Sequence, residues 1–438
     1  MIQKILKVTM IVLMILGITF SISNLIPEEV DARTFRATWV EMPDGTLDCM
    51  GDGNDCDMDL SGIEDGIGIG ISPSKEVKIQ NKQESIQKKT LPGLSIKPPK
   101  SIKISQGSQL LLKPQDFCVT KDGLFIIPDK QAGNIKIYER SKNFLKLAKT
   151  MGRKGYGPGR FAEPTFCFYN EDELKFGVMD SGIRRIFIYD RIGRTEFERL
   201  KEIPCLRLGS DIQLQGKKIF VSGVTQDKNK ATYDLYYISQ ANDKATFLLP
   251  SFYKYGLKSV DEYQSKYVKE PGIKSIGISG WIDVYDDDVY FVWEGDLRIL
   301  KQNIESKALT FFGEKSTNYV KPYPSKKLVK GYRKRNIDSI ISEKAKMSFV
   351  RNIFVGPKYV MVIYEGPFKQ DKKSNFRLQF YTLDGDFINE VSIPGAPDRK
   401  MWFDKDSDIL YSLSSNQNEK GTNYSILEYK IFQKKADP

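Results

Sequence analysis

The stretch FCVTKDGLFIIP at residues 117–128 places a polar turn between two apolar runs rich in β-branched and aromatic residues. Such runs, bounded by turn residues, predict two antiparallel strands joined as a hairpin. The same pattern returns as FCFYNEDELKFGVMD (166–180), IQLQGKKIFVSG (212–223), IDVYDDDVYFVWE (282–294), IFVGPKYVMVIYE (353–365) and MWFDKDSDILYSL (401–413). The chain is therefore predicted to be built from β-repeats.

The spacing of these hairpins predicts the architecture. Each hairpin has a turn residue that serves as a marker: Asp122, Asp172, Gly216, Asp287, Pro357 and Asp406. The markers lie 44 to 71 residues apart, and the two longest intervals contain helix-patterned insertions at roughly 252–274 and 322–346. Without the insertions the period is about 45 residues, the length of one four-stranded propeller blade. We expect an all-β, six-bladed β-propeller of four-stranded antiparallel blades, with a disordered N-terminal segment and two short helical insertions.

The remaining strands complete the expected blades. A second β-rich run follows the hairpin at 134–144, 184–194, 233–243 and 376–387. The sixth unit ends after SILEYKIF (425–432), before a fourth strand, whereas SIKISQGSQLLL (101–112) precedes the first unit. We expect this spare strand to pair as the outer strand of the last blade, because closure covers an otherwise open sheet edge.

One pair of segments resembles a known repeat. MGRKGYGPGRFAEP (151–164) and MDSGIRRIFIYDRIGR (179–194) resemble the NHL repeat, which has a Gly-rich linker followed by a strand pair. The matching residues are Gly155, Gly157, Pro158, Gly159, Phe161 and Pro164 in the linker and Asp180, Arg185, Ile186 and Ile188 in the strand pair. Met179 and Ile183 replace the usual Ala and Asn. The resemblance covers roughly residues 115–195, implies a secreted bacterial propeller, and says little about function.

The N-terminus has the layout of a secretory signal. Lys4 and Lys7 precede an apolar run from Val8 to Phe20, and a mixed stretch follows up to Ala32, with small or apolar residues at Val30 and Ala32. We predict a signal peptide at 1–32, cleaved after Ala32. The alternative is an uncleaved membrane anchor, and either one exports the bulk of the chain to the periplasm or the extracellular space.

The next segment is predicted to be a disordered tail and linker over residues 33–100. From Glu41 to Asp65 it contains nine acidic residues and no Lys or Arg, and it then becomes rich in Pro and Lys. Such a composition cannot bury a core. The propeller is expected to occupy residues 101–438.

Composition excludes several classes of chemistry. The 438 residues carry a net charge of +11 and contain no histidine. Ser-His-Asp and Cys-His catalysis and histidine-ligated metals are therefore excluded. Five cysteines are present: Cys49, Cys56, Cys118, Cys167 and Cys205. Export would allow Cys49 and Cys56 to pair across a short loop, whereas the other three are expected to be buried as small hydrophobes.

Two basic groups are candidate ligand sites. Arg153, Lys154, Tyr156 and Arg160 lie in the Gly-rich linker, which could bind an anion or a sugar, although a structural crossover between blades is the favoured interpretation. Lys326, Lys327, Arg333 and Arg335 lie in the insertion 322–346, whose excess of positive charge would attract a polyanion. The alternative for this insertion is a solvated helix that covers the rim.

A third candidate is a calcium site in the acidic tail. Asp52, Asp55, Asp57 and Asp59 resemble a calcium loop in their spacing. Leu60 and Gly66 stand where such a loop needs Gly and Glu, so a solvated acidic tail is favoured. No other cofactor is expected.

Two functions are consistent with the sequence. The favoured one is an exported, non-catalytic scaffold that binds a protein, peptide or anionic glycan through loops and basic insertions on one face. The alternative is a lactonase- or esterase-like hydrolase with a divalent metal in the central channel, implied by resemblance to propeller lactonases that use Glu, Asn and Asp ligands. No such ligand set is recognisable in the sequence. We expect a monomer without a nucleic-acid partner, whose basic face is compatible with contact to a membrane surface.

Overall fold

The structure is a computed structural model. It describes residues 39–41, 47–49 and 79–80, and then residues 93–434 except for 106–109, 171–172, 206–210, 227–231, 251–279, 314–315, 324, 368–374, 396–399 and 419–420. The chain divides into two units, residues 1–62 and 63–438. In the first unit, β1 (Trp39–Glu41) and β2 (Leu47–Cys49) form an antiparallel hairpin. The predicted signal peptide, Asp52, Asp55, Asp57, Asp59 and Cys56 lie outside the described residues.

The second unit is a series of mostly antiparallel sheets, built largely from consecutive strands. Three short strands precede them: β3 (Ile79–Gln80), β4 (Leu94–Ile96) and β5 (Lys100–Ile104). Sheet 1 contains β6 (Cys118–Val119), β7 (Leu124–Asp129), β8 (Asn134–Ser141) and β9 (Phe144–Met151). A two-residue parallel pair follows, β10 (Arg153–Lys154) with β11 (Arg160–Phe161).

The next two sheets repeat this order. Sheet 2 contains β12 (Pro164–Asn170), β13 (Lys175–Asp180), β14 (Arg185–Arg191) and β15 (Phe197–Pro204). Sheet 3 contains β16 (Asp211–Gln215), β17 (Lys218–Gln226), β18 (Thr232–Ser239) and β19 (Ala245–Pro250).

The last three sheets include the helices. Sheet 4 contains β20 (Gly280–Tyr285), β21 (Asp288–Trp293), β22 (Ile299–Asn303) and β23 (Leu309–Phe312). Helices α1 (Lys326–Arg333) and α2 (Ile337–Lys344) follow. Sheet 5 contains β24 (Phe349–Val355), β25 (Val360–Glu365), β26 (Phe376–Tyr381) and β27 (Phe387–Ser392). Sheet 6 begins with β28 (Met401–Asp404), β29 (Ile409–Asn418) and β30 (Gly421–Gln433).

The outer strand of sheet 6 comes from the start of the unit. β5 pairs antiparallel with β30, with Lys103 opposite Ser425, and also pairs in parallel with β9 of sheet 1. Sheets 6 and 1 are therefore hydrogen-bonded to each other through β5. The sequence places this strand at 101–112, and the structure ends it at Ile104. Residues 94–96 and Lys100, which the sequence assigns to the linker, are also in strands, because β4 pairs with the end of β30.

Six hydrophobic clusters lie between the sheets, one for each consecutive pair. The cluster with Phe125 and Tyr411 joins sheet 1 to sheet 6, so the packing is cyclic. The first strands of neighbouring sheets contact each other, and they therefore form the inner wall of the arrangement. The predicted all-β class and four-stranded antiparallel sheets are confirmed.

The two described helices lie in one of the two predicted insertions. Both lie in the insertion predicted at 322–346, whereas the insertion predicted at 252–274 lies outside the described residues. Among the residues that the structure describes, no helix combines the length and apolar character needed to cross a membrane.

Candidate functional site

The helical hairpin α1–α2 connects sheet 4 to sheet 5 and is held together by one carboxylate. Ser325 caps α1 by accepting a hydrogen bond from the Leu328 amide at 3.0 Å, and its hydroxyl donates to Glu343 Oε2 at 2.7 Å. Glu343 also accepts a hydrogen bond from Lys346 and lies 3.8 Å from Lys327 Nζ. The Lys346 hydrogen bond is the largest cause that lowers the pKa of Glu343 below its ordinary value. Glu343 therefore ties the start of α1 to the end of α2.

The inner face of the hairpin is packed tightly. Leu328 and Ile340 are buried, and a Cβ at Gly331 would lie 3.1 Å from Ile340 Cγ1, so a side chain there would crowd the second helix. At the base, the Ser348 amide donates to the Val320 carbonyl at 2.8 Å, and the Val320 amide donates to Ser348 Oγ at 2.9 Å. The helical hairpin is thus packed against itself and held at its base by two hydrogen bonds.

The outer face is basic and partly apolar. Its exposed cations are Lys326, Lys327, Lys330, Lys334, Arg335 and Lys346. Within the described part of the chain, no ion pair involves Lys326, Lys330, Lys334 or Arg335. Ile337 and Ile341, one helical turn apart on α2, are each 38% exposed. Three of the four residues singled out by the sequence therefore lie together as exposed cations, and Arg333 is the last residue of α1.

The Gly-rich linker between sheets 1 and 2 is built into its surroundings. Lys154 Nζ donates to the Lys130 carbonyl at 3.2 Å, and a Cβ at Gly133 would lie 2.5 Å from Lys154 Cα. The Arg160 side chain folds over Gly155, with Cδ at 3.1 Å from the position of a Cβ. Lys154 and Arg160 thus contact neighbouring backbone.

All four linker candidates are exposed to solvent, including Lys154 and Arg160. Arg153 is exposed, and Tyr156 is 75% exposed. Gly152, just before Arg153, has φ +74°, and a Cβ there would lie 2.4 Å from the Phe161 ring. This glycine is needed for the path of the linker.

Three aspartates on the inner wall connect consecutive sheets. Asp116 Oδ2 accepts a hydrogen bond from the Cys167 amide at 3.0 Å, which joins sheet 1 to sheet 2. Asp211 Oδ2 accepts from the Ile282 amide at 3.0 Å and Asp283 Oδ2 from the Val355 amide at 2.7 Å, which join sheets 3, 4 and 5. Each aspartate therefore holds the first strand of the next sheet.

These aspartates also interact electrostatically. Burial raises the pKa of Asp116 to about 7, although the Cys167 hydrogen bond and the nearby Lys400 oppose the shift. Burial also raises the pKa of Asp211 well above its ordinary value, and repulsion from Asp116 and Asp283 adds to the effect. Asp283 is neutralised by Lys405, whose Nζ lies 2.9 Å from Oδ1 and reaches it from sheet 6. The inner wall thus carries three aspartates, and Lys405 of sheet 6 pairs with one of them, Asp283.

The sequence did not single out these aspartates as site residues. A signal was present, because an aspartate precedes the first apolar run in QDFCV (115–119) and SDIQL (210–214) and lies within it in WIDVY (281–285). The acceptor role depends on backbone amides 51 to 72 residues further along the chain, which no local pattern predicts.

The hydrolase alternative requires a set of converging metal ligands. Among the described residues, no three Cys, Asp or Glu side chains converge in a way that could hold one ion. The inner-wall aspartates instead use their oxygens on backbone amides and on Lys405.

Comparisons with known proteins identify the fold and no activity. No protein-family model matches the chain, and no curated protein matches it. The structure is similar to a solved member of the DUF4221 family from Bacteroides vulgatus, with 13% identity, a TM-score of 0.55, and coverage of 78% of this chain and 99% of that one. It is also similar to a protein from Bacteroides fragilis described as exported, with 13% identity, a TM-score of 0.51, and coverage of 78% and 96%. The chain therefore has the propeller-like all-β fold of these proteins.

Proposed function

We propose that the chain is an exported, six-bladed β-propeller of NHL type that binds an acidic partner protein or peptide through the hairpin α1–α2. The observation that carries this proposal is the exposed basic face of the hairpin, where Lys326, Lys330, Lys334 and Arg335 form no ion pair within the described residues. Binding, rather than catalysis, is the function assigned to this face.

The charge of the hairpin favours an anionic partner. Glu343 is already engaged by Lys346 and Ser325, so its charge is not available to balance the remaining lysines. A cluster of one sign raises the local concentration of oppositely charged ligands and accelerates association. The effect falls with ionic strength, because exposed charges are screened over about 10 Å at 0.1 M salt.

The apolar residues favour a peptide over a glycan. Ile337 and Ile341 are partly exposed on the same hairpin, and Tyr323, just before α1, is 52% exposed. A polyanionic sugar would contact the lysines and leave these side chains in water. A peptide with both acidic and apolar residues would cover both, and burial of apolar area contributes about 25 cal/mol per Å².

The six-bladed form is supported by the cyclic packing. Each cluster joins two consecutive sheets, and β5 links the last sheet to the first. The NHL assignment is supported by Asp180, which stands in the matching strand pair and accepts hydrogen bonds from the amides of Ala162 and Glu163 in the Gly-rich linker. Export is supported by the lysines and apolar run of the N-terminus.

A hydrolase with a channel metal is the weaker candidate. The inner-wall aspartates act as acceptors between sheets, and none of them forms a converging set with two other acidic side chains or thiols among the described residues. We therefore assign the function to the hairpin and not to the channel.

The proposal is tested by charge reversal. The variant Lys326→Glu/Lys330→Glu/Arg335→Glu is compared with the control Lys146→Glu/Lys217→Glu/Lys307→Glu, which reverses three exposed lysines elsewhere. The probe is an array of acidic peptides with and without leucines, with heparin as the glycan probe. Because each exposed charge contact contributes about 0.5 kcal/mol or more, the hairpin variant should bind at least about tenfold more weakly.

Two results would contradict the proposal. Equal peptide affinity for the hairpin variant and the control would show that the hairpin is not the binding surface. Tight binding of heparin, with no binding to any peptide on the array, would replace the peptide by an anionic glycan.

A further inference from the structure

Cys118 and Cys167 lie on the inner strands of neighbouring sheets. Cys118 is the first residue of β6 in sheet 1, and Cys167 is in the middle of β12 in sheet 2. Both side chains are buried, with 0% and 5% exposure, and both belong to the cluster between these sheets. The sequence interpretation of buried small hydrophobes thus describes their burial and misses that they are neighbours.

Three contacts fix the position of Cys167 against Cys118. The Cys167 amide donates to Asp116, two residues before Cys118, at 3.0 Å. The Cys167 thiol donates to the Ile126 carbonyl at 3.6 Å, and Ile126 is the residue directly opposite Cys118 in the β6–β7 pair. Burial raises the pKa of the Cys167 thiol, and hydrogen bonding with the Cys118 side chain adds to the shift. The thiols are therefore placed side by side across the interface between the sheets.

The third described thiol belongs to a different interface. Cys205 lies 3.2 Å from the Tyr236 hydroxyl, in the cluster between sheets 2 and 3. Cys118 and Cys167 are thus neighbours in one interface, whereas Cys205 lies in a different interface and contacts Tyr236.

We propose that Cys118 and Cys167 form a disulfide bond between sheets 1 and 2 when the protein folds in an oxidising compartment. In this step each thiol loses its proton, one S–S bond forms, and two electrons pass to an external disulfide. That oxidant is the active-site disulfide of a thiol–disulfide oxidoreductase, or oxidised glutathione in vitro, and it leaves as two thiols. The assignment of an oxidising compartment rests on the proposed export, whereas the pairing of the two cysteines does not.

The bond forms during folding and not in the finished protein. The thiolate is the reactive species in disulfide exchange, and burial raises the pKa of Cys167 well above its ordinary value. A chain that has folded with both thiols reduced should therefore react slowly, because the Cys167 thiol is neutral and both side chains are shielded from the oxidant. An unfolded chain exposes both thiols to exchange.

The experiment compares refolding with and without an oxidant. The full chain is denatured in reductant, then refolded either in a glutathione redox buffer or in reductant alone. Remaining thiols are alkylated under denaturing conditions, and unreduced peptides are mapped by mass spectrometry. We expect a crosslinked peptide pair containing Cys118 and Cys167, two hydrogens lighter than the separate peptides, with Cys205 alkylated.

The urea midpoint provides a second readout. If the two cysteines only filled space in the core, reduction would not change this midpoint. Reduction should lower the urea midpoint of the wild type and of the control Cys205→Ser, but should leave the midpoint of Cys118→Ala unchanged. Alkylation of both Cys118 and Cys167 after oxidative refolding would overturn the proposal, as would a link from either of them to Cys205.

The same crosslink tests the export proposal separately from the pairing proposal. A crosslink that forms in glutathione buffer, but is absent from protein isolated from cells under alkylating conditions, supports the pairing and contradicts an oxidising location. Its presence in both samples supports both inferences.

Discussion

The connection between sheets 1 and 2 and the connection between sheets 4 and 5 each lie next to a carboxylate, and the two carboxylates are bound in different ways. In each, a carboxylate lies next to the chain that enters the following sheet. Asp180 ends the second strand of the sheet that is entered, and Glu294 directly follows the second strand of the sheet that is left. In the first, Asp180 is fully buried and accepts amide hydrogen bonds from Ala162, Glu163 and Gly182 at 2.7 to 3.0 Å. In the second, Glu294 accepts a hydrogen bond from the Arg351 guanidinium at 2.9 Å.

The difference follows from the length of the connection. The short Gly-rich linker brings its own amides to Asp180, so backbone hydrogen bonds stabilise the carboxylate. The long connection with the hairpin α1–α2 leaves Glu294 next to β24, where Arg351 pairs both with it and with Glu365 at 2.9 Å. A buried ion pair thus replaces a set of backbone hydrogen bonds where the loop carries an inserted element.

The largest effect is expected at the ion pair. Arg351→Met would leave Glu365 buried without its guanidinium and Glu294 partly buried, and removal of one partner from a buried pair costs about 4 kcal/mol. The free energy of unfolding should fall by that amount in urea titrations. Lys358→Met is the control, because Lys358 pairs with Asp408 at the surface and such pairs contribute about 1 kcal/mol or less. A similar loss in both variants would contradict the assigned role of Arg351.

A slightly smaller effect is expected at Asp180. Asp180→Ala removes the acceptor of three amides, and the loss should be about 3 kcal/mol because the donors near Ala162 stay buried. Asp180→Asn keeps one acceptor oxygen and should recover part of this loss. Measurement of the urea midpoints of both variants, with Asp406→Ala as an exposed control, tests the comparison. Equal midpoints for Asp180→Ala and the wild type would contradict it.

The pH dependence of stability tests the inner wall through Asp116. Because burial raises the pKa of Asp116 to about 7, the folded chain holds a proton that the unfolded chain has already released above about pH 4. This group therefore lowers the stability as pH rises towards 7. Asp116→Asn should gain about 2 kcal/mol relative to wild type between pH 5 and pH 8.

A matched control for this measurement is Asp122→Asn. A hydrogen bond from Arg191 holds the pKa of Asp122 below its ordinary value, so its titration is complete below pH 5. Its stability difference from wild type should stay constant from pH 5 to pH 8. The same constancy for Asp116→Asn would show that Asp116 does not titrate in this range.

The smallest effect is expected at the start of the hairpin. Ser325→Ala removes the N-cap of α1 and the hydroxyl that donates to Glu343, at a cost of about 1 kcal/mol. Because the hairpin is an insertion with its own anchor, amide hydrogen exchange should accelerate in α1 and α2 and not in β24. Faster exchange throughout sheet 5 would show that the hairpin and the sheet unfold together.

The sequence was informative where structure depends on local patterns. Polar turns between apolar runs predict the hairpins, since turn and strand preferences act over a few residues. It was less informative about Arg351, although a charge inside the apolar run FVRNIFV (349–355) is a signal of a buried partner. One partner, Glu294, directly follows β21 and the other, Glu365, ends β25, and only the three-dimensional arrangement brings them together.

Long-range pairing also explains why the strands begin at Leu94 in the structure, within the segment that the sequence assigns to the linker. Leu94 lies in a Pro- and Lys-rich stretch, yet its amide and carbonyl are both bound by the Asn389 side chain, at 3.0 and 2.8 Å. This contact spans 295 residues, so composition alone could not predict it. The basic face of the hairpin was foreseeable, because charge is read directly from the residues.

The pairing of β5 has a consequence for the order of biosynthesis. Lys103 leaves the ribosome long before Ser425, the residue opposite it in sheet 6. The early strand must therefore stay unpaired, or pair only with β9, until synthesis of β30 delivers its main partner. A ribosome stalled before β30 would hold a chain whose first and last sheets are still separate, and such nascent chains would be more sensitive to proteolysis than the released protein.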